Sequence, residues 1–265
     1  MQIDSPTPIE IRRPTPQVAE VWLNRPEVRN AFNESVIAGL TQAFTVLSDD
    51  PQVRVIVLAA QGKAFCAGAD LNWMRRMADY SEQENLADAA TMAEMLRVIH
   101  RCSKPTIARI QGDVFAGGMG LVAACDMAVS VDSASFCLSE VKLGLIPATI
   151  SPYLIQAMGA RAAQRYFLTA ERFSAEQALR LGLLHEVVTL DALDAKVAEL
   201  MAALLAASPN AVRSAKQLVH EVAGRGITPE LIASTVAHIA QSRASQDGRE
   251  GVQSFLQKRQ PNWLS

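Results

Sequence analysis

Residues 107–140 read IARIQGDVFAGGMGLVAACDMAVSVDSASFCLSE. Ile107-Ala108-Arg109-Ile110 has the β-branched character of a short strand, Gly112 breaks it, and Ala116-Gly117-Gly118-Met119-Gly120 precedes an apolar run from Leu121 to Cys125. The stretch predicts a strand, a glycine turn and a helix. Glycines let a ligand approach the backbone closely, and the first amides of a helix lack an intrahelical acceptor, so they can donate to negative charge developing on a ligand oxygen. The turn is therefore a candidate oxyanion site. Taken alone, its glycines serve tight helix packing at least as well, and a GGxG pattern does not separate the two uses. Beyond it, Asp126 to Val131 predicts another strand, and Phe136-Cys137-Leu138-Ser139 leads to a lone carboxylate, Glu140.

Towards the N-terminus, Ile9 to Arg12 and Val18 to Leu23 predict strands, the second with the alternation of a strand that buries one face. A turn at Arg25 to Ala31 enters a helix with Asn33 as N-cap and Val36, Ile37, Leu40, Phe44 and Leu47 on one side. Asp49-Asp50-Pro51 ends it. Val53 to Ala59, with RVIVLAA over 54–60, is apolar on both faces after Arg54, the mark of a strand buried on both faces of a parallel sheet. Gly62 to Leu71 is a second small-residue turn entering a helical stretch with Trp73, Met74 and Met77, and supplies a second backbone-donor candidate. Ser81 to Arg101 predicts a long amphipathic helix, stopped by Lys104-Pro105. From Ile150 onward the chain is mainly helical, with caps at Ser174 and Ser208 and a short apolar interruption at His185 to Val188. Periodicity alone would draw a flat parallel sheet followed by helices.

With 265 residues the chain can bury a substantial core. Its formal net charge of −2 and mixed Lys, Arg, Asp and Glu give no basic face for nucleic acid and no polybasic patch for a membrane. Cys66, Cys102, Cys125 and Cys137 form no CxxC pair, which suits free thiols in a reducing compartment, and the four histidines form no HExxH, so no metal site is predicted. There is no signal-peptide pattern and no apolar run long enough to span a bilayer, so a soluble, cytoplasmic protein is expected.

Two small-residue turns, each followed by a helix, with one glutamate beyond the second, form a recognisable constellation. Through LNRPEVRNAF at 23–32, KAFCAGADL at 63–71, IQGDVFAGGMGLVAACDMAV at 110–129, SEVKLGLIP at 139–147 and EGVQSFLQKRQP at 250–261, the chain resembles the crotonase, or enoyl-CoA hydratase/isomerase, family over nearly its whole length. The resemblance implies an α/β fold, a crotonase-like spiral of ββα units over residues 1–195 with a helical C-terminal trimerisation region over 196–265. It also implies a homotrimer or hexamer and an acyl-CoA thioester substrate. Coenzyme A would enter as part of that substrate, with no separate cofactor.

Carried over by position, the amides of Ala69 and Gly117 resemble the family's oxyanion hole, with Ala67, Leu71 and Gly118 beside them as substrate contacts. Glu140 matches the second of two glutamates that hydratases of the family use. Arg29, Lys258 and Arg259 resemble positions that meet the phosphates and adenine of coenzyme A, and Phe255 either touches the acyl chain or packs. The other glutamate would fall at Gly120, so the two-carboxylate arrangement is absent. Asp113, Asp126 and Tyr153 are near in sequence, but loop solvation at Asp113 and a helix end at Asp126 are the simpler expectations. IPATISPY replaces a glycine-rich stretch of many relatives, so Thr149 and Ser151 are candidates to line a reshaped acyl pocket, with Ser151 equally suited to cap the next helix.

Four readings follow. GGMGLVAACDMA and FCLSEVKLGLIPATISPY resemble bacterial methylglutaconyl-CoA hydratases, implying hydration of a branched or dicarboxylic 2-enoyl-CoA such as 3-methylglutaconyl-CoA, with a cation among Arg75, Arg76 and Lys142 for a free carboxylate. The alternative is a Δ3-Δ2 enoyl-CoA isomerase using the same single glutamate. An RNA-binding protein would need a basic helix, and Arg161-Ala162-Ala163-Gln164-Arg165 is too sparse for one. An inactive acyl-CoA holder would have no need to keep Ala69, Gly117 and Glu140.

Overall fold

The computed structural model describes residues 7–264; the first six residues of the 1–195 region, and Ser265, lie outside the described residues. The chain opens with β1 (Ile9–Thr15) and β2 (Val18–Leu23), then α1 (Glu34–Asp49), β3 (Val55–Ala60) and the three-residue β4 (Ala64–Cys66). Helices α2 (Leu71–Met77) and α3 (Glu82–His100) lead to β5 (Thr106–Ile110), β6 (Asp113–Phe115) and α4 (Gly117–Ala124). Next come β7 (Met127–Val131), β8 (Ser135–Cys137), a 3-10 turn at Glu140–Leu143, α5 (Ser151–Thr169), β9 (Phe173–Ser174), α6 (Ala175–Arg180) and β10 (Glu186–Val188). Four helices close the chain: α7 (Leu193–Ala206), α8 (Pro209–Val222), α9 (Pro229–Ala244) and α10 (Gln246–Leu256).

Two sheets result. One has the order β1-β2-β3-β5-β7-β10, parallel except for the β1–β2 pair; the other has the order β4-β6-β8-β9, with β9 antiparallel. Each pass of the chain lays one strand in the first sheet and a short one in the second before a helix returns it: β3 then β4, β5 then β6, β7 then β8. This is the spiral of ββα units, and it corrects the flat parallel sheet that periodicity draws. Strands of three residues are too short to show a period of two, so the second sheet leaves no such trace in the sequence.

The larger strands and the caps follow sequence chemistry. All six residues of β3 are buried. Asn33 accepts the Val36 amide at 3.0 Å, Ser81 and Glu84 form a reciprocal capping box, and Ser174 and Ser208 accept from Gln177 and Ala211. Phe32, Phe44, Phe65 and Phe136 are buried in one continuous core. Among the described residues no helix is long and apolar enough to cross a membrane.

Several local expectations are corrected. Asp126 does not simply end a helix: its Oδ2 accepts the Thr106 amide at 2.7 Å and the Lys216 ammonium at 2.7 Å, tying β5 to α8. Asp113 is not left to solvent, since it accepts the Ser135 amide at 2.9 Å and joins β6 to the start of β8. Ser151 does not cap α5, because its hydroxyl donates back to Ala148 O at 2.7 Å. The position 195/196 lies within α7, whose Leu193 and Val197 are buried in the core.

Candidate active site

Ala69 lies on the turn between β4 and α2, in a parallel bridge with Phe32. Phe32 N–H donates to Gly68 O at 2.7 Å, and Asp70 N–H donates to Phe32 O at 2.7 Å. In a parallel bridge the two neighbours make these bonds, so the Ala69 amide itself faces away from Phe32 and stays free for a ligand. Asp70 fixes the turn from below. Its Oδ1 accepts the Asn72 and Trp73 amides at the start of α2, and its Oδ2 takes Arg25 Nη2 at 2.9 Å. Burial raises the Asp70 carboxyl, but the Arg25 guanidinium and the two helix amides outweigh it and hold the group below its ordinary 3.8.

Gly117 is the first residue of α4, so its N–H has no intrahelical acceptor. Ala116 before it adopts φ 47°, ψ −122°, a conformation L residues rarely hold, and is pinned by its own amide donating to Cys137 O at 2.8 Å. A Cβ at Gly117 would lie 2.7 Å from Met92 Cε and 2.9 Å from Phe32 Cε2, so a side chain there would have to displace these two.

Ala69, Gly117 and Glu140 line one cavity of about 570 Å³. Its walls are Phe32, Trp73 and Met77, one face of α3, and the loop from Gly144 to Ile150, which includes Thr149 but not Ser151. Glu140 is half-buried, Oε2 has no hydrogen-bond partner among the described residues, and burial pushes the carboxyl above its ordinary 4.5. A second groove, of about 460 Å³, meets the first at Ala69 and is lined by Arg29, Ala67, Leu71 and Arg75 among others. The shared residue places the Ala69 amide where an elongated ligand would pass from one groove into the other.

The remaining sequence candidates divide. Gly118 is buried, and a Cβ there would sit 2.8 Å from Cys66 Cβ; it packs α4 on β4 and lines neither groove. Phe255 is 83 % exposed on α10, and Lys258 follows that helix at φ 55° rather than lying on it; neither lines either of these two grooves. Arg259 is bound to Glu250 at 2.6 Å. Of the cations considered for a substrate carboxylate, Arg75 lines the outer groove, Arg76 is paired with Glu34 at 2.6 Å, and Lys142 lines neither groove.

The vacancy at Gly120 is filled from elsewhere. A Cβ at Gly120 would lie 2.2 Å from Ile150 Cγ2 and 3.4 Å from Leu96 Cδ2, so apolar side chains occupy the space a longer residue would need. Sequence reasoning also missed Asn85 and Asp88, which line the cavity from α3. The available signal was their spacing with Ala89 and Met92, at i, i+3, i+4 and i+7, which puts all four on one helix face.

Residues 14–265 match the model of the family described as enoyl-CoA hydratase/isomerase. A crotonyl-CoA hydratase of Syntrophomonas wolfei is 30 % identical over 94 % of this chain and 95 % of its own, and a mevalonyl-coenzyme A hydratase of Aspergillus fumigatus is 34 % identical over 94 % and 92 %. The crystal structure of an enoyl-CoA hydratase from Shewanella pealeana superposes with a TM-score of 0.93 at 42 % identity, covering 97 % of this chain and 96 % of that one.

Proposed function

Since the chain belongs to the enoyl-CoA hydratase/isomerase family, we propose that it is a lyase adding water across the 2,3 double bond of a branched 2-enoyl-CoA, with Glu140 as its catalytic carboxylate. The observation that carries the reading is the unpartnered Glu140 Oε2 in the same cavity as the Ala69 and Gly117 amides. The thioester carbonyl oxygen sits between those two amides. As water oxygen bonds to C3, Glu140 takes a proton from that water and the double-bond electrons move to the thioester oxygen as an enolate. Each preorganised amide donor to that charge is worth about 2.7–4 kcal/mol of barrier. The enolate then collapses, C2 takes the proton back from Glu140, and addition is syn because one carboxylate serves both steps.

Coenzyme A lies along the outer groove, with Arg29 on its phosphates and Ala67 and Leu71 beside it; a charged, multi-donor side chain suits phosphate. The protein works as a trimer or a pair of trimers, in which Lys258 and Phe255 reach a neighbouring subunit's ligand. Exposed Ile227, Val236, Ile239, Val252, Phe255 and Leu256 in the helical region support such an assembly. The motifs that resemble methylglutaconyl-CoA hydratases make 3-methylglutaconyl-CoA the charged member of the substrate class. Against it stands the lining of the acyl cavity, which among the described residues holds no Lys or Arg.

The test is loss of the unsaturated-thioester absorbance on adding the protein to crotonyl-CoA and 3-methylglutaconyl-CoA, with mass analysis for one added water. Full turnover by a folded Glu140→Gln variant would sink the proposal. One observation favours a second reading, a Δ3-Δ2 isomerase: the Gly120–Ile150 packing leaves a single carboxylate at the reacting end. Oxygen from solvent in the product separates the two, because isomerisation incorporates none.

A further inference from the structure

The acyl cavity is lined by two titratable side chains, Glu140 and Asp88, which come from different elements, the turn after β8 and α3. Met92 marks the level of Gly117 on α3, its methyl 2.7 Å from where a Gly117 Cβ would be. Asp88 is four residues back along the same face of α3, so at 1.5 Å per residue it lies about 6 Å further along the wall. For an acyl chain laid from Gly117 along α3 towards its N-terminus, that distance is roughly four bonds of extended chain, which reaches about C5.

The polar groups on that part of the wall accept hydrogen bonds. Asp88 Oδ1 receives the Trp73 indole N–H at 3.2 Å, which uses the indole donor and aims the carboxylate. The Asn85 amide nitrogen is spent on Tyr80 O at 3.2 Å and Ser81 O at 3.1 Å, leaving its Oδ1 as the free polar atom. Glu34 and Arg76 also act on Asp88, but they are bound to each other at 2.6 Å and so bring little net charge. A substrate carboxylate placed there would meet a fixed like charge with no cation lining the cavity among the described residues, whereas a hydroxyl could donate to Asp88.

We propose that Asp88, aimed by Trp73 and flanked by Asn85, is the specificity-determining residue for the acyl terminus, admitting a branched 2-enoyl chain that carries a hydroxyl near C5 and rejecting one that carries a carboxylate. The inference rests on the hydratase reading and narrows it. It is tested by comparing kcat/KM for 5-hydroxy-3-methylpent-2-enoyl-CoA and 3-methylglutaconyl-CoA, each normalised to crotonyl-CoA in the same variant. The full-length protein should prefer the hydroxylated thioester by at least about tenfold. Asp88→Asn should reduce that preference by about tenfold, and Asn85→Lys, at an exposed position that tolerates substitution, should move it the same way. A wild-type preference for the carboxylate, or a ratio that both variants leave within about twofold, overturns the inference while hydration stands. Absence of hydration with all three thioesters overturns the hydratase reading and this inference with it.

Discussion

Replacing Glu140 by Gln separates what the carboxylate does for chemistry from what it costs the fold. Its Oε2 is buried without a partner, and burial raises its pKa above the ordinary 4.5. A carboxyl with a raised native pKa holds its proton more tightly in the folded than in the unfolded chain, so stability falls as pH rises through that interval. The penalty is absent below the unfolded value of 4.5, grows between it and the raised native value, and is complete above. A glutamine there would be unpaired too, so only the difference counts: hydrogen bonds to charged groups are worth about 1.5–3 kcal/mol against about 0.5–1.5 for neutral ones, a difference of about 1–2 kcal/mol at most for half-buried Glu140. Glu140→Gln should therefore be more stable than the parent by about 1–2 kcal/mol near pH 7.5 and equally stable near pH 4. Hydration should fall by about 10²–10⁴. Urea denaturation at the two pH values, followed by tryptophan fluorescence, reads the first effect, and thioester absorbance reads the second. A variant less stable at neutral pH, or a gain that persists unchanged in acid, would refute the reasoning.

Gly120→Ala forces a methyl to 2.2 Å from Ile150 Cγ2 and should cost about 1–3 kcal/mol; with Ile150→Ala added, the double variant should be more stable than the sum of the single losses by about 0.5–3 kcal/mol in a denaturation cycle. Asp70→Asn weakens the pair with Arg25, whose side chains are 8 % and 19 % exposed. The loss should fall below the 3–5 kcal/mol typical of a fully buried pair, and steady-state kinetics should show kcat falling more than KM changes because the turn carrying Ala69 loosens. Arg29→Ala should raise KM for CoA thioesters severalfold more than it lowers kcat, with the difference shrinking as salt screens the phosphates.

How much of this was legible can be seen residue by residue. Strands β2, β3 and β5 announce themselves because five or six residues carry a period or an unbroken apolar run. Strands β4, β6 and β8, at three residues each, carry none, and the second sheet came from the order of the motifs. Ala69, Gly117 and Glu140 could be named because small residues and a lone acid sit at fixed places in those motifs. For Asp88 the spacing with Asn85, Ala89 and Met92 marks a shared helix face, but not which cavity that face covers until α3 is laid over it. The same holds for Ile150, whose contact with Gly120 joins residues from different turns of the spiral and depends on where α5 begins.

The Gly120–Ile150 contact also bears on how one carboxylate can suffice. A second acid beside the reacting carbons would repel the forming enolate, and two like charges about 6 Å apart at an effective dielectric of about 20 repel by about 3 kcal/mol. Ile150 excludes that acid and, with Leu96 beside it, keeps the surroundings apolar. The same desolvation raises the Glu140 pKa, which strengthens it as a base towards water and narrows the gap to a proton it must next give to carbon. Asp88 lies about 6 Å further along α3, a comparable separation, and the Trp73 N–H on its carboxylate reduces the charge that it presents to the thioester end. With the proposed roles, the arrangement would divide two tasks that a pair of adjacent acids would share: Glu140 would handle both proton transfers, and Asp88, on the more open part of α3, would select the acyl chain.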